Sequence, residues 1–127
     1  MPLNSNKKGK VFERQVAKTL NKVFDADVRR TPQSGGLSIK GDLIQLSGIL
    51  SEFHWECKNQ EKLNIWNSLK QAIKDRPINK IPVVVFTKNF EEEFVSMRFN
   101  DFLNLLKELD EFRNPPATGD GGLDAEC

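Results

Sequence analysis

A chain of 127 residues, 38% of them hydrophobic, is sized for one domain around one modest core. No stretch reaches the roughly 18 apolar residues of a membrane-spanning helix, and the basic N-terminus leads into no apolar segment, so neither a span nor a secretory signal is expected. The formal net charge of +1 hides an asymmetry: residues 1–100 hold 17 Lys/Arg against 11 Asp/Glu, a net of +6, and residues 101–127 hold 2 against 7, a net of −5. A positive field thus belongs to the first four-fifths of the chain, which permits a polyanionic partner. The two cysteines, Cys57 and Cys127, form neither a disulfide framework nor a zinc motif and suit a reducing, intracellular setting.

Residues 1–9 are polar and predict a loose start. Phe12, Val16, Leu20, Val23 and Phe24 recur at helical spacing and predict a helix over 10–24, ended by Asp25-Ala26-Asp27. A short strand over 28–31 leads to a loop, Pro32-Gln33-Ser34-Gly35-Gly36. Strands follow over 42–46 and 52–58, with a turn starting at Ser47-Gly48. A helix over 64–76 places Ile65, Trp66, Leu69 and Ile73 on one side and closes at Pro77. The apolar run Ile81 to Phe86 reads as a strand buried on both faces, with a further strand over 93–99. Asn100 or Asp101 is the expected cap of a last helix through 112, with a stripe of Phe102, Leu105, Leu106 and Leu109. The Pro-Pro, Gly-Gly and scattered acids of 113–127 predict a disordered tail beyond a domain of residues 1–112. The order α-β-β-β-α-β-β-α defines an α/β domain, a mixed central sheet of four to five strands flanked by helices.

Chemistry concentrates on the strand over 52–58. Residues two apart on a strand share a face, so Phe53, Trp55 and Cys57 form one row, read as core, and His54, Glu56 and Lys58 the other. If the preceding turn is centred near Ile49, Asp42 falls opposite Glu56; if it is centred on Ser47-Gly48, Asp42 meets Phe53 instead, and the pattern alone leaves both registers open. In the first register two carboxylates and an ammonium converge. The carboxylates repel, and a hard divalent cation such as Mg²⁺, or Mn²⁺ in its place, relieves that repulsion, with the Cys57 backbone carbonyl as a third ligand.

On the wheel of the first helix, Glu13 falls at about 100° from Phe12, between Leu20 at about 80° and Phe24 at about 120°. A carboxylate inside the apolar stripe needs a partner, either a cation such as Lys58 or Arg30, or the metal site through water. The segment Arg29 to Gly36, with Arg30 and Ser34, and the following Lys40-Gly41-Asp42 suit phosphate recognition by guanidinium, hydroxyl and backbone N–H groups.

Glu13 in a first helix, Gly41-Asp42 at a strand start and Glu56-Cys57-Lys58 at the end of the next strand resemble the PD-(D/E)XK nuclease superfamily. Lys8-Gly9-Lys10-Val11-Phe12-Glu13-Arg14 and the Arg30-to-Gly35 loop resemble its Holliday-junction-resolvase-like branch. The resemblance covers about residues 8–110. Gly41 departs from the proline of the superfamily's name, and Gln71 stands in the helix where some members place a glutamine.

The resemblance implies a restriction-endonuclease-like core and Mg²⁺-dependent endonuclease activity on DNA, a branched junction first of all. Asp42, Glu56 and the Cys57 carbonyl would hold the metal, Glu13 would complete the shell, and Lys58 would orient the attacking water or stabilise developing charge. Lys8, Lys10, Arg14, Arg29, Arg30, Ser34 and Lys40 would face DNA, and paired cuts would imply a homodimer. No small-molecule cofactor and no membrane partner are expected. Each residue also has an ordinary use: Glu56–Lys58 as a surface ion pair, Asp42 as turn chemistry, Glu13 at a stripe edge, Arg29-Arg30 as solvated charges. Trp55 and Trp66 read as core, and His54, the only histidine, is given no role. Rival functions are a nicking, repair or site-specific DNA endonuclease of the same fold, a nuclease acting on RNA, and a non-catalytic DNA-binding module.

Overall fold

The computed structural model describes residues 5–32 and 41–117. Helix α1 (Ser5–Phe24) is followed by β1 (Arg29–Arg30), β2 (Leu43–Ile44), a 3-10 turn over Gly48–Glu52, and β3 (Phe53–Asn59). Then come α2 (Ile65–Asp75), β4 (Ile81–Thr87), β5 (Phe94–Met97) and α3 (Phe99–Arg113), the order expected from the sequence. Two compact units result, one through Met97 and one from Arg98 on.

In the first unit β4 is central, parallel to β3 and antiparallel to β5. Parallel neighbours need a crossover, which α2 supplies. Pro82 is tolerated in β4 because it precedes Val83, where pairing with β5 begins. The five strands divide between this three-stranded mixed sheet and a two-stranded ribbon of β1 and β2. β2 is shorter than the expected 42–46 because Gly41 at φ +92° and Gln45 at φ 60° leave the extended region on either side of it.

The core joins Phe12, Val16 and Ala17 of α1 to Val28, Leu43, Leu50, Cys57 and Val85, with Trp55 half-buried against it. The Trp55–Cys57 row of β3 thus faces α1, as its period-2 pattern requires. Asn64 caps α2 by accepting from the Asn67 N–H at 3.0 Å. The buried residues of α2 are Ser68 and Ala72, small enough for close approach to β3 and β4. Trp66 is not core: it is 73% exposed, lying about 100° around the helix from Ile65 and off the Ser68–Ala72 line.

In the second unit α3 starts at Phe99, and its N-cap is Arg98 rather than Asn100 or Asp101. Asp101 instead lies in the first turn, where Arg98 Nε donates to its Oδ2 at 2.9 Å. No residue of α3 is buried. Helix continues to Arg113, and the part of the expected tail over 118–127 lies outside the described residues.

Candidate active site

Asp42 follows the left-handed Gly41 and is set against the edge of β3. Its N–H donates to the Trp55 carbonyl at 2.9 Å, and its Oδ2 accepts from the Cys57 N–H at 2.6 Å. Asp42 therefore lies beside the Trp55–Cys57 stretch of β3, with the Glu56 charge acting on it, but β2 pairs with β1 alone, so among the described residues the expected β2–β3 hairpin is not formed in either register. A strand residue presents its N–H and C=O to the same edge. The Cys57 carbonyl accordingly faces the Asp42 side, where it was expected as a ligand.

This placement loads the Asp42 carboxyl. Burial raises its pKa to about 7, helped by the charge of Glu56; the Cys57 N–H opposes the rise, Glu13 adds to it and Lys58 reduces it. The same burial, with Asp42 charge, pushes the Cys57 thiol well above its ordinary range, so this buried cysteine is packing and not a nucleophile.

Glu13 is buried, and among its candidate partners the structure selects Arg30, whose Nε donates to Oε1 at 3.0 Å. Arg30 is fixed in turn by β1, whose preceding residue Val28 is gripped through both backbone groups by the Asn21 side chain. Glu56 is also buried, with its Oε2 3.1 Å from His54 Nε2. Lys58 is half-buried and makes no salt bridge among the described residues.

A cleft of about 570 Å³ is lined by Lys10, Glu13, Asp42, Cys57, Lys58 and Asn59 among others. Glu56 lies outside that lining. A second cleft, of about 410 Å³, is lined by Arg14, Lys18, Arg29 and Arg30 with Asn21. The Glu13–Arg30 pair joins the two. Lys8 is turned to Glu61 at 3.2 Å, and the Asn89 N–H first and then Lys8 lower the Glu61 pKa. Gln71 is exposed on α2 and lines neither cleft. Ser34 and Lys40 lie outside the described residues.

Three residues near the site lie outside the sequence-derived candidate set. Lys18 had a signal, since Lys10, Arg14 and Lys18 recur every four residues along α1. His54 had one too, two positions before Glu56 on the same face of a strand. Asn59 had none; its buried Oδ1 has no hydrogen-bond partner among the described residues.

Among the described residues no group of three or more His, Cys, Asp or Glu side chains could hold a metal ion. Two carboxylates and a backbone carbonyl nevertheless fit Mg²⁺, which keeps several waters and needs only one or two protein carboxylates. The raised pKa of Asp42 comes first from burial and then from the Glu56 charge, and a bound cation would offset both.

An acid on the buried face of a first helix, an Asp at a strand edge and a Glu-x-Lys strand beside it are the frame of the PD-(D/E)XK nucleases. Residues 4–117 match the family model described as "Phage putative PDDEXK endonuclease", and the chain belongs to that family. Comparison with curated proteins and with solved structures yields no match.

Proposed function

We propose that this nuclease is a Mg²⁺-dependent endonuclease that hydrolyses DNA phosphodiesters, with a four-way junction or related branched DNA as substrate. The observation that carries the metal-dependent reading is Asp42, held at the β3 edge beside Glu56 with its carboxyl pushed up to about 7 by burial and neighbouring acids.

Asp42, Glu56 and the Cys57 carbonyl would hold the cation, which would polarise the phosphate and lower the pKa of its water. Lys58, at the end of β3 and facing the same cleft, orients the attacking water or stabilises charge on the phosphoryl oxygens. Glu13, paired with Arg30, lines the same cleft and would complete the shell through water. Lys10, Arg14, Arg29 and the newly placed Lys18 track the phosphate backbone on either side. The junction preference is supported by the Lys8-to-Arg14 and Arg30-to-Gly35 segments, and paired cuts call for a homodimer.

The test is cleavage of a labelled four-way junction and a matched linear duplex with Mg²⁺, with EDTA, and by Asp42→Asn and Glu56→Gln. Symmetric cuts on the junction alone, dependent on metal and lost in both variants, are expected. Cutting of nicked or linear DNA would instead make it a nicking or site-specific enzyme. Binding without cleavage in Mg²⁺ or Mn²⁺ would overturn the catalytic reading.

A further inference from the structure

His54 precedes Glu56 by two residues on the same face of β3 and is only 4% exposed. Its Nε2 lies 3.1 Å from Glu56 Oε2. A carboxylate that serves as a cation ligand is ionised and only accepts, so in that state Nε2 carries the hydrogen and donates it. No described residue hydrogen-bonds the other oxygen, Oε1. The imidazole thus holds one oxygen of Glu56 and leaves the second unclaimed.

The seat of the ring depends on residue 41. A Cβ at Gly41 would lie 3.1 Å from His54 Cε1 and 3.3 Å from its Nδ1, closer than such contacts normally come. The Gly41 φ of +92° also excludes proline, whose ring holds φ near −65°. Where the superfamily's name has proline, this chain has the one residue that leaves room for an imidazole beside Glu56.

We infer that His54 is a positioning residue of the metal site, holding the Glu56 carboxylate in place beside Asp42 through its Nε2–H, with Gly41 providing the space for its ring. The inference rests on the proposed role of Glu56 as a cation ligand. Its physical basis is simple. Asp42 and Glu56 repel, and without a donor behind it the Glu56 side chain swings away from Asp42, so a cation must reorder it on binding. A buried hydrogen bond from outside the ligand set does that ordering in advance, and losing such a partner typically weakens metal binding on the order of 10–100-fold.

The experiment measures Mn²⁺ affinity by titration calorimetry and electron paramagnetic resonance, without DNA, for the full chain and for His54→Phe, His54→Gln and Glu56→Gln. Phe keeps the ring volume and removes the donor, whereas Gln places an amide N–H near the Nε2 position. The expected result is Mn²⁺ affinity at least 10-fold weaker for His54→Phe and recovered to within a few-fold for His54→Gln. In cleavage assays the half-saturating metal concentration of His54→Phe should rise while kcat at saturating metal changes little. A purely structural role would lower the active fraction and leave metal affinity alone. If His54→Phe does not fold, His54→Asn replaces it, because its amide reaches only the Nδ1 position. Wild-type affinity in His54→Phe or His54→Asn, with weakened binding in Glu56→Gln, overturns the inference alone. Wild-type affinity in Glu56→Gln overturns the ligand role of Glu56 and the inference with it.

Discussion

Asp42 is more costly to fold ionised than protonated. Its pKa rises from 3.8 to about 7, so between these values the folded chain binds more protons than the unfolded one. Stability from this group is therefore lost as pH rises from about 4 to about 7, by on the order of 4 kcal/mol in full. Asp42→Asn keeps an acceptor for the Cys57 N–H and removes the charge. In EDTA it should melt higher than wild type at pH 8, with the advantage shrinking to nothing near pH 4, while cleavage is lost. With Asp42 as the proposed cation ligand, the cation would have to displace its proton, so wild-type Mn²⁺ affinity should weaken up to about tenfold per pH unit below 7, as calorimetry across pH 5.5–8 would read. The Glu13–Arg30 pair behaves differently, its side chains being 11% and 16% exposed. Arg30→Met strands a buried carboxylate and should cost about 3 kcal/mol in urea denaturation, and Glu13→Met added to it should recover much of that loss.

Between elements, the joint that matters most for the site is Asn21. From the last turns of α1 its Nδ2 donates to the Val28 carbonyl at 3.0 Å, and its Oδ1 accepts from the Val28 N–H at 2.6 Å. Val28 is 3% exposed, so Asn21→Ala leaves two backbone groups unpaired and should cost about 2–4 kcal/mol by urea denaturation, loosening β1 and with it Arg30. Elements with a strong period could be read from the sequence in part: the apolar run of β4, and the core side of α1 through Phe12, Val16 and Leu20 with Glu13 inside it, but not Val23 and Phe24, which are exposed; on β3 the alternation was legible, yet both rows carry buried residues, Cys57 on one and His54 and Glu56 on the other. What escaped was decided by contacts rather than by period. α1 begins at Ser5, ahead of its first apolar contact, in a segment whose polar composition carries no helical stripe. The connection into β3 is a 3-10 turn, anchored by buried Leu50, whose carbonyl accepts from Trp55 Nε1 at 3.1 Å. The sequence offered two hairpin registers for Asp42; the described residues form no β2–β3 hairpin, and Asp42 is placed instead by its bonds to the Trp55 carbonyl and the Cys57 N–H. Arg30 was one of two cations offered to Glu13, and the choice between them is tertiary.

At the scale of the molecule, the net of +6 over residues 1–100 becomes useful only if it is concentrated, and the second cleft, lined by Arg14, Lys18, Arg29 and Arg30, concentrates it beside the mixed-charge first cleft. Not every cation on the expected DNA face contributes equally. Lys18 and Arg14 are exposed at the second cleft and form no salt bridge among the described residues. Lys8 is already committed, its ammonium 3.2 Å from Glu61 and its side chain 16% exposed. Affinity for DNA falls with salt because phosphate-bound cations release counterions, each contact contributing about −0.9 to the slope of log K against log salt. Arg14→Ala with Lys18→Ala should therefore make that slope shallower by about 2, read from fluorescence anisotropy with Asp42→Asn protein between 50 and 200 mM salt. Lys8→Ala should change it by much less, because releasing Lys8 to a phosphate first breaks its contact with Glu61 and leaves that acid facing the DNA. Equal slopes for all three substitutions would mean that the strand runs past the N-terminal turns of α1 rather than along its Lys10–Arg14–Lys18 ridge.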